Sequence, residues 1–225
     1  AIEEIHGRMT AAAERMAPGR GIADALESLR RDAPEADALV PFVTAELDTV
    51  RAFARARAPV SPAGGEDLAV RYAPAFRRPL SVASLDAPGV WERRATRAFF
   101  DVSPALPGAT EPALRGRLSH LHRAALRLMA AREALPGRYQ QQLAARQAPS
   151  RLRQALTSAT ATEGWAHYSE QLVVEEGLGR GDPRIELAWH ERSLLAWGRL
   201  IAAISLHTGV MTLEDAARMF EERCF

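Results

Sequence analysis

The dipeptide Pro136-Gly137 falls inside a stretch whose apolar spacing is helical on both sides, over about 112–134 and 138–147. Proline lacks the N–H that a helix interior needs and its ring collides with the preceding turn, whereas glycine accepts the distorted backbone that must follow. The chain therefore has to break there and restart. On an unbroken helix, at roughly 100° per residue, Arg132 and Arg138 would point in different directions. A break between them can bring both side chains to one point.

The remaining chain reads as mainly α. Helices are expected at 1–17, with Ile2, Ile5, Met9 and Met16 on the apolar side before Pro18-Gly19, at 22–31 before Asp32-Ala33-Pro34, and at about 36–57. Pro59, Pro62 and Gly64-Gly65 then stop the pattern. Between 66 and 108 the segments 68–72, 80–83 and 98–102 have strand character and are separated by Pro74, Pro79, Pro88-Gly89 and Pro104, which predicts a small antiparallel patch or extended loops. Further helices are expected at 150–158, 160–176, 184–207 and 213–223. Asp182-Pro183 supplies an N-cap with proline in the first turn, and Thr212 to Asp215 a cap with an acidic first turn. Gly177 to Gly181 reads as a helix stop and turn, since no strand precedes it. The organisation is read as a single domain over 1–225: helical 1–60, a β/extended insertion at 66–108, and a helical 112–225.

Charge narrows the partners. All 29 basic residues are arginine, against 28 acidic ones, for a net charge of +1. The absence of lysine in an alanine-rich chain points to the codon bias of a GC-rich genome. Because the arginines are interleaved with Asp and Glu, no phosphate-tracking surface forms, and nucleic acid is not an expected partner. No apolar run reaches the ~20 residues of a membrane span. No signal peptide is visible and the compartment stays open. The chain begins at Ala1 already in a helical pattern, which reads as internal to a longer protein. The single cysteine, Cys224, allows no intrachain disulfide and is expected as a free thiol near a frayed terminus.

The chemistry-bearing residues surround the break. Arg132-Glu133-Ala134-Leu135-Pro136-Gly137-Arg138, followed by Glu163-Gly164-Trp165-Ala166-His167-Tyr168, has the frame of a zinc-hydrolase motif H-E-x-x-P-G-H with a later glutamate, but arginine occupies both histidine places. A guanidinium has five N–H donors and no lone pair to offer, so it cannot ligate a metal. The pattern resembles the bacterial domain-of-unknown-function 885 family, zincin-like proteins with H-E-x-x-P-G-H and E-G-W-A-x-Y. Tyr139-Gln140, Glu170, Glu175-Glu176-Gly177, Asp182-Pro183, Leu206-His207-Thr208, Met211-Thr212 and Pro88-Gly89 extend the likeness over nearly the whole chain. Members are more than twice as long, so the resemblance implies the C-terminal portion of a helical zincin-like metallopeptidase fold. It also implies that Glu133 stands at the general-base position and Glu163 at the third ligand position, with His167, Tyr168, Arg199 and His207 on the wall of the site. Ala203 stands where many members have aspartate.

With two of about three zinc ligands gone, the leading reading is a degenerate, non-catalytic relative without a cofactor. It would bind a peptide or acidic small ligand, or serve as a scaffold, with Arg132 and Arg138 replacing the ion as carboxylate clamps. Against this stands the plain alternative that both arginines point to solvent. A second reading is an active metallohydrolase of peptidase type, with zinc on Glu163, His167 and His207. A third is the structural half of a larger protein, packing against a missing N-terminal half or partner chain. His120 and His122 diverge on a helix and are expected at the surface. His6 and His190 have no evident partner. Trp165, Trp189 and Trp197 are expected in the core.

Overall fold

The computed structural model of the protein describes residues 2–103 and 108–224. The elements in chain order are α1 (Ile2–Met16), α2 (Ile22–Arg31), α3 (Leu39–Arg57), β1 (Leu68–Tyr72), β2 (Ala83–Asp86) and β3 (Ala98–Val102). They continue with α4 (Glu111–Ser119), α5 (Arg123–Glu133), α6 (Arg138–Arg146), α7 (Arg151–Ala155), α8 (Ala159–Glu175), α9 (Pro183–His207) and α10 (Leu213–Arg223). The chain divides into two compact units, one of Ala1–Ser28 with Gly181–Phe225 and one of Leu29–Arg180.

In the unit Leu29–Arg180, α5 is the central element. Ala124, Ala125, Leu126, Leu128, Met129, Ala130 and Ala131 are all buried, so small or apolar side chains cover nearly every face. A helix apolar all round belongs in an interior, and α5 packs against both α3 and α8. α3 meets it with the stripe Leu39, Val43, Leu47 and Val50. His122 starts α5: its backbone is extended and Nδ1 accepts a hydrogen bond from the Ala125 amide at 3.2 Å.

The sheet is mixed, in the order β1-β3-β2, with β1 and β3 parallel and β2 and β3 antiparallel. The centre goes to the strand with most to bury, Phe100 and Val102 being fully enclosed. β1 can lie parallel to β3 because the chain from 73 to 97 provides the dozen or more residues that a parallel crossover requires. Asp101, fully buried in β3, faces Arg71 in register and accepts from its Nε at 2.7 Å. Asp86 takes the same arginine at 2.8 Å, and the Arg71 guanidinium lies 3.7 Å over the Phe99 ring. Arg117 on α4 ties irregular segments to the sheet, donating to the carbonyls of Ser103 (2.9 Å), Arg78 (2.6 Å) and Ser81 (2.9 Å).

Between α5 and α6 the chain makes the expected break. The Leu135-Pro136 peptide is cis. The Gly137 amide reaches back to the Ala131 carbonyl at 3.1 Å, and that of Gln140 to Ala134 at 3.2 Å. A Cβ on Gly137 would sit 1.9 Å from the Arg132 carbonyl oxygen, so no other residue fits there without moving backbone. α6 is then pinned. The Tyr139 hydroxyl accepts from the Asp67 amide at 2.9 Å, and Gln140 Nε2 donates to the Ser61 carbonyl at 2.6 Å.

In the other unit α9 packs against α1 and α10. Asp182 caps α9 by accepting from the Arg184 amide, with Pro183 in the first turn, and Thr212 and Asp215 form a capping box on α10. Cys224 is buried against Gly198, whose added Cβ would come within 2.9 Å of the sulfur. Trp197, Leu200 and Ile204 form an exposed apolar stripe on α9.

Several expectations need correction. The sheet is mixed rather than antiparallel, and its middle segment lies at Ala83–Asp86, beyond the expected 80–83. The helix expected over 112–134 stops at Ser119 and restarts at Arg123, because His122 leaves the helical conformation to cap the second piece. His122 is consequently buried rather than at the surface, and Cys224 is likewise buried although it ends a helix. Of the tryptophans expected in the core, Trp189 is buried and Trp197 is exposed. Pro104, expected to close the third strand, lies outside the described residues.

Gly137→Ala is expected to destabilise the protein by about 3 kcal/mol, the upper part of the usual overpacking range, because the clash is with backbone. Urea unfolding measures this, and a loss below about 1 kcal/mol would contradict the close approach.

Candidate functional site

The break places the C-terminal turn of α5 and the first residue of α6 against one face of α8. Arg132 and Arg138 do converge: Nη2 of each contacts the same oxygen, Oε2 of Glu163, at 2.9 Å from Arg132 and in a short contact from Arg138. Glu133 lies between them, with Arg132 Nε 3.6 Å from its Oε1 and Arg138 Nε 3.4 Å from its Oε2. Beneath, Arg132 Nη1 is 3.8 Å from Glu170 Oε2, and His167 Nδ1 approaches the same oxygen at 3.7 Å. Glu163, His167 and Glu170 share this face because they are three, four and seven residues apart on α8.

Burial grades the cluster. The Glu170 side chain has 0% exposure and that of Glu133 8%, whereas that of Glu163 has 56%. Burial raises the Glu133 pKa above the usual carboxylate range, opposed by Arg138 and Arg132 and reinforced by Glu163 and Glu170. The magnitudes separate two roles. An exposed pair such as those of Glu163 contributes about 0–1 kcal/mol, whereas removing one partner of a buried ion pair costs about 3–5 kcal/mol. Arg132 thus lies in charge contact with both buried carboxylates, while its hydrogen bond goes to the more exposed Glu163.

Trp165 fixes the break to α8, its indole N–H donating to the carbonyls of Pro136 (2.9 Å) and Gly137 (3.2 Å). Tyr168 is exposed beside it, with ring centroids 5.9 Å apart. Arg199 and His207 lie on α9, in the other unit, where both are exposed and His207 Nδ1 is 2.7 Å from its own helix's Ala203 carbonyl. Glu170 was the residue absent from the expected site. Its spacing from Glu163 and His167 is the signal that could have found it.

This donor set does not fit a zinc ion. Two guanidinium groups occupy the carboxylate oxygens that a cation would need, and neither can be a ligand. Among the described residues no group of three or more His, Cys, Asp or Glu side chains is placed to hold a metal, and no helix is long and apolar enough to cross a membrane. What the arrangement can do is hold a carboxylate between two fixed cations.

The family described as "Bacterial protein of unknown function (DUF885)" matches residues 1–225. Among solved structures the chain is similar to a candidate lipoprotein of unknown function from Shewanella oneidensis, with a TM-score of 0.85 and 23% identity over 100% of this chain and 41% of that one. It is also similar to a candidate lipoprotein from Colwellia psychrerythraea, with a TM-score of 0.76 and 19% identity over 99% of this chain and 37% of that one. At these identities the likeness is one of fold. The chain spans about two fifths of the length of these structures. No curated protein matches it.

A raised folded-state pKa means that the native protein binds the Glu133 proton more tightly than the unfolded chain does. The stabilisation from this group is complete below the unfolded pKa of about 4.3 and is lost as pH rises through the folded value. Glu133→Gln should therefore gain stability relative to the native protein as pH rises from about 4, measured by urea unfolding along a pH series. A difference of opposite slope would show that the arginines outweigh burial.

Proposed function

We propose that this chain, which belongs to the bacterial family of unknown function DUF885, is a non-catalytic, peptidase-like domain. In it, Arg132 and Arg138 stand in for a metal ion and clamp the carboxylate of a peptide or small acidic ligand. The observation that carries this reading is the meeting of two guanidinium groups on one oxygen of a half-exposed glutamate. Planar guanidinium forks suit carboxylates, and the Nη2 of each that meets Glu163 is the donor an incoming carboxylate would take over. Glu163 then acts as an internal placeholder that an incoming carboxylate displaces, at the small cost expected of an exposed pair. Glu133 backs the pair from the interior. Its carboxylate lies against both guanidinium groups and neutralises them from the buried side.

Calorimetric titration with an N-acetylated dipeptide and with its C-terminal amide tests the reading. The free acid should bind and the amide should not. Glu163→Ala, which removes the internal competitor, should tighten acid binding about two- to fivefold. Arg138→Ala should weaken it by about tenfold, as expected for a charge-assisted contact. Equal binding of acid and amide would sink the clamp. Zinc-dependent hydrolysis of the peptide, lost in Glu163→Gln, would establish the metallohydrolase instead.

A further inference from the structure

A cavity of about 350 Å³ opens on the unit Leu29–Arg180, between the end of α3, the connector that follows it, and the Leu135-Pro136 turn. Its walls are Val60, Pro62, Leu135, Pro136 and Leu143, which offer water few partners. The volume lies at the lower end of the roughly 300–1,000 Å³ of ligand pockets and is about ten times one water's share of the liquid. Displacing poorly bonded water from such walls favours an apolar occupant.

Of the polar groups in the lining, Arg55 is the exposed one. Arg55 lines the cavity, yet its side chain is 73% exposed, which places it at the mouth. Its ion pair is with Glu66 Oε2 at 3.7 Å, beyond hydrogen-bond reach. Glu66 is engaged more closely by Arg51, whose Nε makes a short contact with its other oxygen. Asp48 also pairs with Arg51, but it is not part of the lining. The cavity thus offers an exposed guanidinium with donors to spare, beside a Glu66 carboxylate that Arg51 already engages. Glu66 and Gln140 also line the cavity; Gln140 spends its Nε2 on the Ser61 carbonyl and holds the connector against α6.

We propose that this cavity is a second ligand site, separate from the Arg132–Arg138 pair, which takes a small amphiphilic acid: an aliphatic or aromatic body in the cavity and one carboxylate on Arg55. The rim of the site is the 59–66 connector, and its floor is the same Leu135-Pro136 turn that spaces Arg132 from Arg138. An occupant therefore touches the segment on which the clamp depends without touching the clamp.

The test uses the whole chain with octanoate and octanol as probes, followed by isothermal titration calorimetry. Octanoate should bind with a Kd of about 0.1–1 mM, as its size allows. Ala54→Leu, which suits the helix and fills the cavity, should weaken both probes by about tenfold. Arg55→Gln should weaken octanoate about fivefold and leave octanol unchanged. Val60→Trp fills the cavity from the connector and serves as the second blocking variant, with circular dichroism checking each fold. No octanoate binding, or binding unaffected by both folded blocking variants, overturns the site. Equal loss of both probes in Arg55→Gln, or no loss of either, overturns the assignment of an acid. Arg138→Ala should leave octanoate binding intact, so failure of the clamp and failure of this site are told apart.

Discussion

The absence of a side chain at Gly137 is the constraint on which the site depends. The first residue of α6 can follow so closely on the last turn of α5 only because the Gly137 α-carbon packs against the Arg132 carbonyl, where any Cβ would collide. This approach sets the direction of Arg138 relative to Arg132. Beyond the backbone bonds of Gly137 to Ala131 and Gln140 to Ala134, Trp165 binds the turn's carbonyls from α8, and Tyr139 and Gln140 bind the connector after α3. The turn is held from three directions by hydrogen bonds that it cannot make within a helix.

Around this turn three glutamates meet two arginines, a balance short of neutrality by one charge when all are ionised. Two guanidinium groups differ from a compact ion in more than charge. A metal gathers ligands around a point, whereas two planar forks spread donors along a line and reach deep and shallow carboxylates at once. Arg132 does this, spanning fully buried Glu170, nearly buried Glu133 and exposed Glu163. Burial raises the Glu133 pKa against the pull of both arginines.

The helices and the break were legible because each has a local cause: Asp182-Pro183 and Thr212-Asp215 at helix starts, and Pro136-Gly137 where a helix cannot continue. The convergence of Arg132 and Arg138 followed from the break, but their partners did not. Glu170 is set by the packing of α8 on α5, a tertiary fact that helical spacing only permits. His122 shows the same limit. A histidine is a rare cap, and its burial comes from the start of α5 lying in the core. The parallel pairing of β1 with β3 was illegible because strand character gives no partner, and the central place is decided by which strand buries most.

Arg117, with its fork in three carbonyls, gives the lysine-free composition a structural meaning. Around the small sheet one guanidinium bonds three carbonyls at once, those of Ser103 after the third strand and of Arg78 and Ser81 before the second. Arg146 on the Pro88 carbonyl and Arg51 on that of Leu68 repeat the device. An ammonium group is a point donor on a flexible stem and cannot copy a planar fork. At these positions lysine would leave carbonyls unbonded, so the arginine-only composition has a structural consequence here as well as a compositional one.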